Sequence, residues 1–376
     1  MCPAIAQSGD NAHASAEDDL NPNPLFGVVL HWIGGLSSAS FYVPYRGVKR
    51  WSWEIFWLTG GVFSWLIGPW FFAALQTHGL LAVLRAAPAS TLLWCYVFGV
   101  LWGFGGLTFG LTLRYLGMSL GMAVALGFTT AFGTLVPPIF AGEFSQKLLH
   151  SIGGRIILAG IVVTLVGIAV VARAGRRKEM ELSAEEQTRA IGEFNYRKGL
   201  AVGTFSGILS SCFAYGVAAG TPIRALGAEA GTGSLWRGLP VLCVVLAGGF
   251  TTNCLWCLAL IVKNRSGGEW LGRARGIRGL DQPPPLARNY FLCAVGGLLW
   301  YFQFFFYTMG ESQMGRYGFS SWTLHMASII IFSTVWGFAL KEWSSAGHRT
   351  RTLVWAGIGT LVGATVIIGW GNSLVR

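Results

Sequence analysis

Ten stretches of 18 to 25 mostly apolar residues recur along the chain, at about 25–45, 52–73, 91–111, 117–140, 155–172, 199–219, 238–262, 290–310, 319–340 and 353–372. At a rise of 1.5 Å per residue, roughly 20 apolar residues in helical form cross a hydrocarbon core of about 30 Å. The pattern therefore predicts an all-α polytopic membrane protein with ten transmembrane helices. Polar residues gather between these stretches. Residues 1–24 are polar, with Asp10, Glu17, Asp18 and Asp19 and no Lys or Arg, so they lack the charged start of a cleavable signal peptide and read as a disordered tail.

The longest run of dense mixed charge, 173–198, lies at the centre of the chain and reads as a linker between a first five-helix repeat, 25–172, and a second, 199–376. Five crossings turn the second half upside down relative to the first, which predicts two inverted five-helix repeats. Echoes between the halves agree with a duplication. Leu36, Ser37, Ser38 and Tyr42 match Leu209, Ser210, Ser211 and Tyr215 in spacing. Gly99 with Trp102 matches Gly297 with Trp300, and the run Thr164 to Gly167 after Arg155 matches Thr360 to Gly363 after Arg351.

Composition sharpens the class. Charged residues make up 11% of the chain and apolar ones 53%, against about 25% charged in ordinary soluble domains. The net charge of +11 does not point to nucleic acid, because the basic residues sit in short connectors and form no basic face. The first, third, fifth, seventh and ninth connectors hold 20 of the 27 Lys and Arg residues. Basic connectors stay in the cytoplasm, so both termini are expected in the periplasm of a bacterial inner-membrane protein. Cys254 and Cys257 are the closest of seven cysteines and have no second pair at zinc-ligand spacing, so neither a metal nor a bound cofactor is expected.

Ionisable residues within apolar spans are costly and mark function. His31, His325 and Glu54 are the candidates for carrying a proton. Both histidines fall near one level, about 9 Å in from a helix end. Histidine suits the task because its unperturbed pKa of about 6.5 lets it load and release a proton near physiological pH. The structural alternative is a neutral histidine bonded to a backbone carbonyl, with Glu54 paired to Lys49 or Arg50. Glu311 is placed in a connector beside Arg316.

Helical spacing gathers His31, Gly35, Ser38 and Tyr42 on one face of the first helix, Trp300, Gln303 and Tyr307 on one face of the eighth, and Ser321, His325 and Ser328 on one face of the ninth. With Trp32 and Trp322, these stripes combine hydrogen-bonding groups and aromatic planes, the two kinds of partner a monosaccharide needs.

The strings HWIGGLSSASFYVPYRGVKRWSWEIFW, GLTLRYLGMSLGMAVALG, GGLLWYFQFFFYTMG, SSWTLHM and LKEWSSAG, in this order, resemble the bacterial L-rhamnose/proton symporter family over about residues 25 to 372. The resemblance implies the drug/metabolite transporter fold, with helices 5 and 10 peripheral to a central cavity. It also implies uptake of L-rhamnose with a co-transported proton as the only accessory species. His31, Tyr42, Lys49, Trp51, Trp53, Glu54, Arg114, Trp300, Gln303, His325, Lys341, Glu342 and Trp343 stand in the matching strings. The chain departs from the enterobacterial pattern at Ala218 and in the connector from Glu311 to Tyr317, which leaves room for another deoxyhexose or a pentose.

The expected partners are a small sugar, a proton and the lipid bilayer, and pairing with a second copy of the chain is left open. Competing readings are an exporter of small metabolites, a membrane sugar sensor, and an intramembrane hydrolase using Ser320 or Ser321 with His325. The last would need a nucleophile–base pair and an oxyanion hole.

Overall fold

The computed structural model describes residues 22–374, apart from 117, 141, 182–194, 274–282, 342, 344 and 345. The tail up to residue 21, the middle of the 173–198 linker, Glu342 and the side chains of Arg114, Arg316 and Tyr317 lie outside the described residues.

Ten long helices follow one another: α1 (Pro24–Ser40), α2 (Trp53–Gln76), α3 (Ala89–Leu116), α4 (Met118–Phe140), α5 (Ile152–Met180), α6 (Tyr196–Ala219), α7 (Leu239–Asn264), α8 (Leu286–Ser312), α9 (Ser321–Ala339) and α10 (His348–Ser373). Among the described residues nine of them are long and apolar enough to cross a membrane, and α4 carries a shorter apolar stretch, Val124–Ile139. The protein is an all-α polytopic membrane protein.

The helix ends differ from the apolar runs where local chemistry overrides hydropathy. α1 begins at an Asn23 cap, whose side chain accepts the Phe26 N–H. It stops at Ser40 and resumes as a short turn, Tyr42–Tyr45. Pro44 explains the break, because it has no N–H to return to the Ser40 carbonyl. α5 runs on to Met180, since the charged residues after 172 are good helix formers once the chain has left the apolar layer. Inside α2 the stretch Val62–Ile67 winds as a π-helix.

The helices pack in a regular scheme. α3 lies against α6 and α7, as α8 lies against α1 and α2; α4 lies against α6 and α5, as α9 lies against α1 and α10. α2 meets α7, and α5 meets α10. Replacing each helix by the one five later maps this set of contacts onto itself. The matched glycines do equivalent work: a side chain on Gly99 would run into the Val245 carbonyl of α7, and one on Gly297 into the Gly60 carbonyl of α2. α5 and α10 run antiparallel, with Gly160 against Ile368, Gly167 against Leu361 and Gly371 against Ile157. Such close approaches replace the hydrophobic drive that lipid cannot supply between helices.

Both described ends of the chain come to one face of the bundle. There the Asn23 N–H donates to Gln313 Oε1 (3.1 Å) and Asn372 Nδ2 donates to Ser320 Oγ (3.0 Å). This is called the terminal face. The opposite, linker face carries the end of α5, where Glu181 accepts hydrogen bonds from the Gly347 N–H and the Thr350 hydroxyl at the start of α10. Large apolar side chains such as Leu255, Val262 and Phe291 are exposed on the flanks, while His31, Ser206, Ser211 and Gln303 are buried. That distribution suits a lipid surround and a polar interior. The core is rich in aromatic rings, Trp65, Phe213, Phe304, Tyr307 and Trp322 among them.

Candidate functional site

Side chains from α1, α6, α8 and α9 converge on the terminal-face side of the bundle. His31 of α1 and His325 of α9 are both buried, with ring centroids 6.0 Å apart. Tyr307 of α8 completes a triangle, 5.6 Å from His31 and 5.4 Å from His325. Trp322 stands edge-on to Tyr307 at 5.6 Å and donates its Nε1–H to the Thr129 carbonyl of α4. Phe213 of α6 stacks on Trp322 at 5.7 Å.

Small residues make this packing sterically feasible. A Cβ on Gly310 would lie 2.8 Å from His31 Nε2, and one on Gly34 would lie 3.1 Å from both His325 Cε1 and the Gln303 carbonyl. Ser328 Oγ donates to the carbonyls of His31 (3.0 Å) and His325 (2.7 Å), which ties α9 to α1.

None of the four imidazole nitrogens has a hydrogen-bond partner, nor do Gln303 Nε2 and Ser321 Oγ. A buried polar group left unpaired costs about 1–3 kcal/mol, so the cluster weakens the fold rather than supporting it. Such a group of basic nitrogens, an amide and a hydroxyl can take up a proton or bind a hydroxylated ligand. It does not form the pair a hydrolase needs, because Ser321 Oγ and both His325 nitrogens are without hydrogen bonds and Ser320 Oγ is engaged by Asn372.

The other candidates are spread out. Ser38 is buried one turn beyond Gly34. Trp32 lies on the α1–α9 flank, edge-on to Phe332 at 5.8 Å. Trp300 lies halfway along α8, on the linker-face side of the histidine cluster, 4.3 Å from Phe41 and 5.9 Å from Phe304. Tyr42 leaves the expected stripe because α1 breaks before it, and at 47% exposure it packs on Phe41 and Tyr45 instead. Glu54 sits at the linker face, where its Oε1 accepts from Asn264 Nδ2 (2.9 Å) and Ser266 Oγ (2.8 Å).

Two features have no local signal in the sequence. Glu311 belongs to the last turn of α8, not to a connector, and forms a largely buried ion pair with Arg224 at 2.6 Å. Arg224 lies on the short helix Thr221–Glu229, 87 residues away, a separation no local spacing rule detects. The pair borders a cavity of about 430 Å³ on the terminal face, lined by Thr221, Arg224, Ser234, Arg237, Thr308 and Ser312. Nearer the middle of the bundle, Phe41, Tyr45, Trp57, Ser64, Trp65 and Trp300 line a cleft of only about 10 Å³. The sequence pattern singles out Trp300 alone of these six.

The profile of the L-rhamnose-proton symport protein family matches residues 20–373. The L-rhamnose-proton symporter of Klebsiella pneumoniae subsp. pneumoniae is 38% identical over 350 residues, covering 92% of this chain and 98% of its own. That of Cronobacter sakazakii is 38% identical, covering 92% and 97%, and that of Escherichia coli O157:H7 is 37% identical, covering 92% and 98%. With a profile match over nearly the whole chain and relatives matched over nearly their whole length, the chain belongs to the L-rhamnose-proton symport protein family.

Proposed function

We propose that this protein imports L-rhamnose, or a closely related deoxyhexose or pentose, across the bacterial inner membrane together with a proton. It does so by alternating access and catalyses no covalent reaction. The observation that carries the reading is the buried His31–Tyr307–His325 cluster, with all four imidazole nitrogens unbonded, in a chain of this family. The relatives' names supply the sugar and the coupling ion.

Further features support the reading. The contact scheme that maps onto itself after five helices, with the Gly99 and Gly297 contacts, fits two inverted five-helix halves of the drug/metabolite transporter kind that rock about a central site. The concentration of Lys and Arg in the odd connectors supports a cytoplasmic linker face and periplasmic termini. The charge on one proton crossing 100 mV is worth about 2.3 kcal/mol, or roughly fiftyfold accumulation of a neutral sugar.

The test is uptake of labelled L-rhamnose into liposomes holding the purified protein, with an imposed pH gradient, with and without an uncoupler, and with L-fucose, L-lyxose and D-glucose as competitors. Uptake above equilibrium that collapses with the uncoupler is expected. Folded protein that takes up no L-rhamnose would overturn the substrate, and uphill uptake indifferent to the uncoupler would overturn the proton.

A further inference from the structure

We propose that the sugar is held at the membrane midplane in the aromatic cleft between α2 and α8, with Ser64, Trp65 and Trp300 as its hydrogen-bonding contacts. The inference rests on the import reading and deepens it, since Ser64 and Trp65 lie outside the histidine cluster and off every stripe that α-helical spacing picks out.

The chain builds the cleft with a local device. Pro69 has no N–H for the Trp65 carbonyl, and its ring would clash with that carbonyl in a straight α-helix. The helix widens instead: the Gly68 N–H reaches back five residues to the Phe63 carbonyl, and Val62–Ile67 winds as a π-helix. π segments inside long helices are rare and concentrate at functional sites, because the extra residue re-aims the side chains around it. Among the described residues no other of the ten long helices contains one, and α7, the counterpart of α2, is α-helical throughout. Ser64 and Trp65 sit halfway along α2, and Trp300 halfway along α8. Inverted-repeat transporters place their substrate at this depth.

The cleft has the two surfaces a pyranose requires. Trp57 stands edge-on to Trp65 at 6.1 Å and is pinned through its Nε1–H to Asn253 Oδ1 at 3.1 Å. Phe41 and Tyr45 close the apolar end. Gly60 leaves room for the Tyr45 hydroxyl, and Gly61 lies against the Trp65 ring. Three donors on these walls are buried and unpartnered: Ser64 Oγ, Trp65 Nε1 and Trp300 Nε1. A purely structural core would not retain three such groups around one cleft, because each is expensive to bury unpaired. Hydroxyl oxygens of a monosaccharide satisfy all three, while its C–H faces stack on the indoles.

The same walls select a 6-deoxy sugar. A methyl group fits against the Phe41 ring, whereas a hydroxymethyl packed against that ring would give up its hydrogen bonds to water. At about 10 Å³ the cleft holds no more than one water, so the sugar enters by parting α2 from α8. A chain of rings connects the cleft to the histidines: Trp300 to Phe304 (5.9 Å), Phe304 to Phe213 (4.6 Å), Phe213 to Tyr307 (5.9 Å).

The test uses full-length protein in liposomes, with Ser64→Ala, Trp65→Phe and Trp300→Phe, the last two keeping an aromatic ring but losing the N–H together with the second ring of the indole. Each is expected to raise the KM for L-rhamnose about tenfold while maximal uptake and its dependence on the pH gradient stay within about twofold, as for loss of one hydrogen bond from a buried polar site. Phe41→Ser is expected to strengthen competition by L-mannose, the 6-hydroxy counterpart of L-rhamnose, relative to L-rhamnose itself. Binding measured by tryptophan quenching in detergent provides a second readout where uptake is low. Wild-type uptake with unchanged KM and unchanged binding in all three folded variants would overturn the cleft alone. Wild-type protein that neither binds nor transports L-rhamnose would overturn the import reading and the cleft with it.

Discussion

At the scale of single residues, the import proposal makes His31 and His325 one proton site rather than two. Two positive imidazoles 6.0 Å apart repel by about 3 kcal/mol at an effective dielectric near 20, so the pair takes one proton readily and a second at considerable cost. Replacing either ring with glutamine, as in His31→Gln and His325→Gln, is expected to cut steady-state L-rhamnose accumulation at least about tenfold, since one transported charge carries roughly 2.3 kcal/mol per 100 mV. Sugar exchange at equal concentrations on both sides, which needs no net proton movement, should survive in both variants. Full proton-driven accumulation in both would show that the proton travels elsewhere. The two histidines were legible in the sequence because ionisable groups in apolar spans are few, and Gln303 and Tyr307 because α-helical spacing holds in α8. Tyr42 misled because spacing assumes an unbroken helix, and α1 ends at Ser40. Ser64 and Trp65 stayed hidden for the same reason in reverse: a π segment turns residues inward that a straight helix would aim elsewhere.

At the scale of elements, the ten apolar runs located the helices well, because length and hydropathy suffice when the solvent is lipid. Their ends were less legible, since caps and charged extensions lie outside the apolar layer. Glu181 is an example: it follows α5, yet it accepts from the Gly347 N–H and the Thr350 hydroxyl at the start of α10, 166 and 169 residues away. A carboxylate at a helix start receives otherwise unpaired N–H groups and meets the positive end of the helix dipole. The Thr350 hydroxyl first, then the Gly347 N–H and the nearby Arg177 guanidinium, hold the Glu181 carboxyl below the usual carboxylate range. A folded-state pKa below the unfolded one means that this contribution is present above the unfolded value, about 4.3, and is lost as pH falls through the lower folded value. Melting curves of detergent-solubilised protein should therefore show Glu181→Gln less stable than wild type at pH 7. The gap should narrow as pH drops towards 3, and a gap that widened on acidification would rule out the carboxylate as the cap.

At the scale of the whole molecule, the two faces of the bundle are closed to different degrees. At the linker face the α1–α2 connector and the first turn of α2 are bound to α7, α8 and the connector between them. Trp51 Nε1 donates to the Glu269 carbonyl (2.9 Å), Glu54 accepts from Asn264 and Ser266, and Asn289 exchanges two hydrogen bonds with the Lys49 backbone (2.8 and 3.1 Å). At the terminal face the α6–α7 connector is held by the His78 N–H on Thr232 Oγ1 and by the Arg224–Glu311 ion pair, beside which the cavity of about 430 Å³ opens. The structure is thus shut at the linker face, and in an alternating-access cycle that seal must break to release sugar. Cys257 and Cys293 lie beneath it, fully buried with Tyr45 and Trp51. Asn289→Ala removes two hydrogen bonds worth about 1 kcal/mol each, which corresponds to roughly thirtyfold in the population open at that face. Maleimide labelling, read peptide by peptide, should speed up by that order at both cysteines. Because Cys293 is one turn from Asn289 whereas Cys257 is on α7, faster labelling at Cys293 alone would mean a local gap rather than an opened seal. Acceleration at both, reversed by conditions that hold the terminal face open, would identify the linker-face connectors as the gate through which the sugar leaves.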